Sequence, residues 1–148
     1  MTAFTEITSV TPAIELLYGR LSTLEAQATD MCRQHFTFVM AGNKSRDWAQ
    51  KSVLFAQARM RDNSLTANWY EIQWYGSKAA KTRRMTKKLI RKQKSDYGYN
   101  LAVLFKLTQP WEEDMVREVE QALRDIRREV AFISKAIGLL NHLVKECK

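Results

Sequence analysis

The sequence is poor in the residues on which several classes of protein depend. It contains two cysteines, two histidines and five scattered glycines among 148 residues. Cys32 and Cys147 lie far apart in helical patterns, which predicts reduced, buried thiols and no disulfide framework. The glycines form no phosphate-binding loop, and no Cys/His cluster has the spacing of a zinc site. The composition therefore predicts no metal site and no cofactor.

Long apolar runs are also missing. No run approaches the length that a membrane-spanning helix needs. The first residues, MTAFTEITSVTPA, have neither the basic region nor the apolar region of a secretory signal. These absences predict a cytoplasmic protein without a membrane partner.

Acidic residues are absent from one long stretch, between Glu71 and Asp96. Residues 42–110 have 15 basic and 4 acidic side chains, a net charge of +11, whereas residues 1–41 and 111–148 have net charges of −2 and −1. A basic block between nearly neutral ends indicates a localised surface for a polyanion. Nucleic acid is the commonest polyanion that such a surface meets, so the block predicts nucleic-acid binding.

The cations concentrate at residues 78–94, named here the basic segment, directly after a cluster of aromatic residues. Lysine and arginine neutralise phosphates and release counterions, and Trp74 is suited to stacking on an unpaired base. Trp69 and Tyr75 share the opposite strand face from Trp74, so which aromatic set is core and which meets bases stays open. The predicted nucleic-acid-binding residues are Lys78, Lys81, Arg83, Arg84, Lys87, Lys88, Arg91, Lys92 and Lys94, together with Trp74.

Two long amphipathic helices are predicted at the ends of the chain. Thr11-Pro12 resembles a helix start, and apolar residues then recur at helical spacing through residue 41, after a loose arm over residues 1–10. A second apolar stripe, from Val116 to Cys147, predicts a coiled-coil-like helix over residues 110–147. The two stripes predict an antiparallel pair. The second helix is predicted to be the longer one, so a homodimer through it is one way of covering its seam.

The middle of the chain changes period. Residues 51–75 alternate around the turn residues Asp62-Asn63-Ser64, which predicts a β-hairpin, although a helix over Asp47–Met60 is a competing interpretation. Residues 77–94 are predicted to form a short basic helix or a loop, with Met85 and Leu89 on one helical face. A short helix is predicted over residues 100–107. The predicted fold is thus a single α+β domain: two long helices packed antiparallel, with a central hairpin and a basic helix or loop.

Two functions outside nucleic-acid binding remain open at this point. A helical protein-interaction adaptor would use the long C-terminal seam. A Mg²⁺-dependent nuclease would use Asp62 and the Glu71-Ile72-Gln73 stretch as ligands of one hard cation. The nuclease pattern lacks a third acid and a lysine two positions after the glutamate, so the sequence favours a protein with no catalytic residues.

Four motifs resemble those of the MobI-type auxiliary mobilisation proteins of bacterial conjugative elements. They are N-x-x-R-D-W-A-Q at Asn43–Gln50, N-S-L at Asn63–Leu65, W-Y-E-I-Q-W-Y-G-S-K at Trp69–Lys78 and Q-P-W-E at Gln109–Glu112. The resemblance covers about residues 43–135. It implies a non-enzymatic accessory factor that acts at the origin of transfer and helps a separate relaxase. The expected partners are therefore DNA, duplex or single-stranded, and a relaxase, with RNA not excluded by charge and aromatics alone.

Overall fold

The computed structural model describes residues 3–93 and 96–146, with side chains from residue 10 onward in those ranges. Short 3-10 helices at Trp48–Gln50 and Pro110–Glu112 precede the first strand and the last helix. In chain order the other elements are α1 (Ala3–Asn43), β1 (Leu54–Arg61), β2 (Ser64–Tyr75), β3 (Arg84–Leu89), α2 (Leu101–Phe105) and α3 (Glu113–Glu146).

The helices α1 and α3 lie against each other and run in opposite directions. Arg20 of α1 pairs with Glu129 of α3 at 2.5 Å. Further along α1, Nε2 of His35 lies 3.6 Å from Oε1 of Glu112, just before α3 begins. Apolar residues from both helices, including Leu24 and Leu123, are buried in one core. Burial of these apolar stripes is the main stabilisation of the two helices, because most helical stability in proteins comes from tertiary packing.

The N-terminal helix differs from the prediction. It begins at Ala3, so the loose arm predicted over residues 1–10 is wrong for the described part of that segment. Pro12 lies inside the helix, although a proline there removes one backbone hydrogen bond and crowds the carbonyl four residues earlier. With 41 residues against 34, α1 is the longer helix. The premise of the dimer prediction, an overlong C-terminal helix, is therefore wrong, and Ile133, Leu140 and Val144 pack against the core. Cys147 lies outside the described residues.

The central region is a three-stranded antiparallel sheet in the order β1-β2-β3. Asp62 and Asn63 form the two-residue turn between β1 and β2, and both have positive φ, as the favoured hairpin turn requires. The third strand contradicts the predicted fold, which placed a basic helix or loop there. A spacing of four, from Met85 to Leu89, puts two residues on one face of a helix and also on one face of a strand, so the apolar pair did not distinguish them. The segment forms a strand because it pairs with the open edge of β2.

One face of the sheet is covered by the helices. Register pairs Ala56 with Trp69 and Ala58 with Ala67 on this inner face, where β1 packs on α1 and β2 on α3. Trp69 is fully buried, with the edge of His35 against its ring at 4.9 Å between centroids. The sequence left open which aromatic residues belong to the core, and Trp69 is one of them.

A buried polar network closes the edge of β2 where β3 has ended. Glu120 accepts hydrogen bonds from the indole of Trp69, the backbone N–H of Tyr99 and both terminal nitrogens of Arg127. Arg127 in turn donates to the carbonyl of Ala67 at 2.8 and 2.9 Å. The hydroxyl of Tyr99 accepts from the N–H of Trp69 and donates to the carbonyl of Ile90. Arg127 and Tyr99 thus bind backbone groups of β2 that would otherwise pair with a neighbouring strand.

Within residues 3–93 and 96–146, no helix has the length and apolar character that crossing a membrane requires.

Candidate nucleic-acid interface

The second face of the sheet, named here the outer face, combines aromatic and basic side chains. Strand alternation puts Phe55, Gln57, Arg59 and Arg61 of β1 on it, opposite the helices. The register then places Tyr70, Ile72 and Trp74 of β2 beside Leu89, Lys87 and Met85 of β3 on the same face. Most of these side chains are exposed or half-buried, so the outer face is available to a ligand.

At one end of the outer face, two tryptophans meet one arginine. The ring centroids of Trp48 and Trp74 are 5.7 Å apart. The guanidinium carbon of Arg83 lies 4.3 Å from the ring centroid of Trp48 and 4.6 Å from that of Trp74. Such cation–π contacts fix the guanidinium while leaving its N–H groups free to meet an anion. About half of each tryptophan remains exposed, 57% for Trp48 and 47% for Trp74.

In the middle of the face, Lys87 lies over two further rings. Its ammonium is 5.1 Å from the ring centroid of Phe55 and 5.3 Å from that of Tyr70. It also donates a hydrogen bond to Oε1 of Gln57 at 3.2 Å. These contacts hold the Lys87 ammonium at the centre of the outer face. The ammonium of an unrestrained lysine would instead move with its flexible side chain.

The loop between β2 and β3 has a defined shape. Ser77 and Thr82 close it, because the backbone N–H of Thr82 donates to the carbonyl of Ser77 and the N–H of Ser77 donates to the Thr82 hydroxyl. Gly76 has a φ of +78°, and a Cβ there would come within 2.2 Å of the Thr82 carbonyl oxygen. Lys81 also has positive φ. The loop presents Lys78 and Lys81 to solvent at the end of the sheet.

The predicted site residues divide by position. Arg84 and Lys88 are exposed on β3, on the face opposite Lys87, and Arg91 is exposed just after the strand. Trp74 and Lys87 lie on the outer face, and Arg83 lies at its end. Among the described residues, none of the basic-segment cations forms an ion pair with a carboxylate.

The ammonium of Lys92 donates to the backbone carbonyls of Gln93 and Asp96, so its charge is engaged in shaping the turn. This contact makes Lys92 a weaker candidate for phosphate binding than its neighbours. Lys94 lies outside the described residues.

Several outer-face residues are not among the predicted nucleic-acid-binding residues. Arg59 and Arg61 alternate with apolar residues along β1, and this period-two pattern was the signal that joined them to one face. No alternating pattern placed Trp48 on the outer face. It lies in the 3-10 helix before β1, and the fold brings it beside Trp74. Only tertiary structure places these residues next to the basic segment.

The geometry contradicts the cation site that Asp62 and Glu71 would share in the nuclease alternative. Asp62 lies in the β1–β2 turn, whereas Glu71 pairs with Leu54 at the other end of the hairpin. The seven residue steps of β2 from Ser64, beside the turn, to Glu71 span about 23 Å, at about 3.3 Å per step. One cation cannot be bound by both carboxylates. In the described part of the chain, no three His, Cys, Asp or Glu side chains come together as a metal site.

Comparison with known protein families shows the family to which the chain belongs. The family model described as MobI protein matches residues 24–141, which is most of the chain. The chain belongs to the MobI family. The resemblance predicted from the four motifs is confirmed, and with it a role in conjugative mobilisation of the MobI type. The matched range includes the whole sheet, about half of α1 and most of α3. Comparison with curated proteins finds no match, and neither does comparison with solved structures.

Proposed function

We propose that this MobI-family protein is a non-enzymatic, cytoplasmic DNA-binding accessory factor that acts at the origin of transfer and assists a relaxase. The observation that carries the proposal is the basic segment itself. Most of its described cations lie on an exposed edge strand and the adjoining loop, and no acidic residue interrupts the sequence between Glu71 and Asp96. Ordinary surfaces mix both signs of charge, so an unneutralised strand of cations indicates a polyanionic partner.

The roles within the segment follow from the contacts. Arg84, Lys88 and Arg91 are exposed cations that reach a phosphate backbone, and Lys78 and Lys81 extend this surface along the loop. Arg83 and Lys87 differ because aromatic rings fix their positions. A phosphate bound to them would therefore have a defined location on the sheet, which orients the DNA more than it adds affinity.

The test is DNA binding by the triple variant Arg84→Ala, Lys88→Ala, Arg91→Ala. We expect its affinity for DNA at low salt to fall more than about tenfold, since three charge-assisted contacts are removed. The matched control removes three exposed cations of α3, with Arg128→Ala, Lys135→Ala and Lys145→Ala. Filter binding or fluorescence anisotropy measures the affinities, and circular dichroism verifies that both variants keep their helices.

Equal reductions of affinity in the two variants would contradict the proposal, because net charge alone would then explain binding. In cells, the triple variant is expected to lower transfer of the conjugative element, whereas the control variant is not.

A protein partner is the second candidate function, and one observation favours it. Phe132, Leu139 and Leu143 are exposed along one side of α3 at spacings of seven and four. An apolar row of this kind suits a contact with another helix, from a relaxase or from a second copy of this chain. Light scattering of the wild-type protein distinguishes the two sources, since only the second copy doubles the mass.

A further inference from the structure

The outer face contains two adjoining basins, and most of the residues that line them lie outside the basic segment. The first is an apolar cleft of about 550 Å³ at the tryptophan end, between the last turns of α1 and the sheet. The second is a polar basin of about 380 Å³ formed by Gln57, Arg59, Arg61, Thr66, Tyr70 and Lys87. Lys87 lines both. The cleft has the size of small-molecule and cofactor sites.

The apolar cleft has a specific lining. Its walls are aromatic and aliphatic, with Phe36, Phe55 and Ile72 among them, and Trp48 and Trp74 at its rim. Among the described residues, no carboxylate lines it, and the charged side chains that do are Lys51 and Lys87. Arg83 lies beside it, against both tryptophans. A ligand that fits has a flat apolar body joined to negative charge.

The polar basin has the complementary chemistry. Arg59 and Arg61 are exposed on β1, and the Thr66 hydroxyl lies opposite Arg59 in the register of the hairpin. Two guanidinium groups, an ammonium and a hydroxyl around one basin suit a phosphate. Because Lys87 belongs to both basins, the phosphate position and the apolar cleft adjoin each other along the sheet.

We propose that the outer face binds single-stranded DNA, with an unpaired base in the apolar cleft and an adjacent phosphate in the polar basin. This inference rests on the proposed function and specifies its substrate class. Duplex DNA keeps its bases stacked and paired, and therefore offers only phosphates to such a face. A free strand presents base faces as well, and aromatic side chains bind them without regard to sequence.

The experiment uses three ligands of equal length: a dT oligomer, an abasic oligomer and a duplex. The abasic oligomer keeps the phosphates and lacks the bases. Trp48→Ala and Trp74→Ala are each expected to weaken binding of the dT oligomer by about 5- to 150-fold, with binding of the abasic oligomer and the duplex unchanged. Tyr18→Ala is the matched control, because Tyr18 is an aromatic residue of α1 that is 41% exposed and lines neither basin.

A second variant tests the basin. Arg59→Ala with Arg61→Ala is expected to weaken binding of the dT and abasic oligomers equally, since both have the phosphates. The proposed base site is contradicted if the tryptophan variants weaken binding of all three ligands alike. It is also contradicted if they weaken binding of none, and the cleft would then suit another ligand, such as an apolar peptide. Failure of the wild-type protein to bind any of the three ligands would instead overturn the proposed function.

Discussion

At the residue scale, the side chains that stabilise the sheet are distinct from those proposed to bind DNA. The Glu120–Arg127 pair is almost completely buried, and each member has several hydrogen-bond partners. A buried ion pair adds little net stability over an apolar pair, but removing one member leaves a buried charge without compensation. Burial also raises the pKa of the Tyr99 phenol, whose hydroxyl donates to the Ile90 carbonyl.

Arg127→Met tests the importance of this network. We expect a decrease of about 3–5 kcal/mol in the free energy of unfolding, because Glu120 loses its counter-charge and the Ala67 carbonyl loses its donors. Arg128→Met on the exposed side of the same helix is the control and should change the free energy by less than about 0.5 kcal/mol. Urea denaturation measures both values. Equal stabilities of the two variants would show that the network does not support the edge of β2.

Residue patterns alone predicted part of this arrangement. The four motifs were enough for the family, and strand alternation placed Trp74 on the face opposite Trp69. The Glu120–Arg127 pair was not foreseen, because Glu120 and Arg127 look like ordinary charged positions of an amphipathic helix. Their burial results from the approach of β2, a partner that the helix sequence does not specify.

At the element scale, the loop between β2 and β3 determines where the basic segment lies. Its tight closure depends on Gly76, where φ is +78° and the Thr82 carbonyl leaves no space for a Cβ. Other residues reach this conformation only with strain. The same loop directs β3 back along β2, so the loop also sets the position of Arg83 against the two tryptophans.

Gly76→Ala is expected to lower the free energy of unfolding by about 1–3 kcal/mol, the usual range for strained backbone. Gly138→Ala is the matched control, since Gly138 lies in α3 with open space around it, and alanine there should stabilise by about 0.4–1 kcal/mol. Thermal or urea unfolding measures the two changes. Shifts of the same sign would contradict the close approach of the loop to Gly76.

The elements were predicted unevenly. The two long helices followed from their apolar stripes and the hairpin from its turn residues, although the start of α1 was placed too late because Pro12 resembled a first-turn proline. The strand β3 could not be predicted, because its apolar spacing of four suits both periods and its pairing partner is the edge of β2. An edge rich in lysine and arginine is also a recognised protection against pairing with other chains.

At the scale of the whole molecule, the sheet has two faces with different tasks. The inner face and the two long helices form the core, whereas the outer face and the basic segment bear aromatic and positively charged groups. The net charge of +11 over residues 42–110 belongs to the sheet and its flanking loops. The nearly neutral helices lie behind the sheet and support the positive surface that we propose binds DNA.

The most direct test of the central claim, that the basic segment binds phosphates, is the salt dependence of DNA binding. We predict that the logarithm of the association constant for duplex DNA falls linearly with the logarithm of salt concentration, with a slope of about −0.9 for each phosphate that the protein neutralises. The triple variant Arg84→Ala, Lys88→Ala, Arg91→Ala should have a slope that is shallower by about 0.9 for each phosphate that it no longer neutralises, and the α3 control variant should keep the wild-type slope. An affinity that is independent of salt, or equal slopes for the wild-type protein and the triple variant, would contradict the claim.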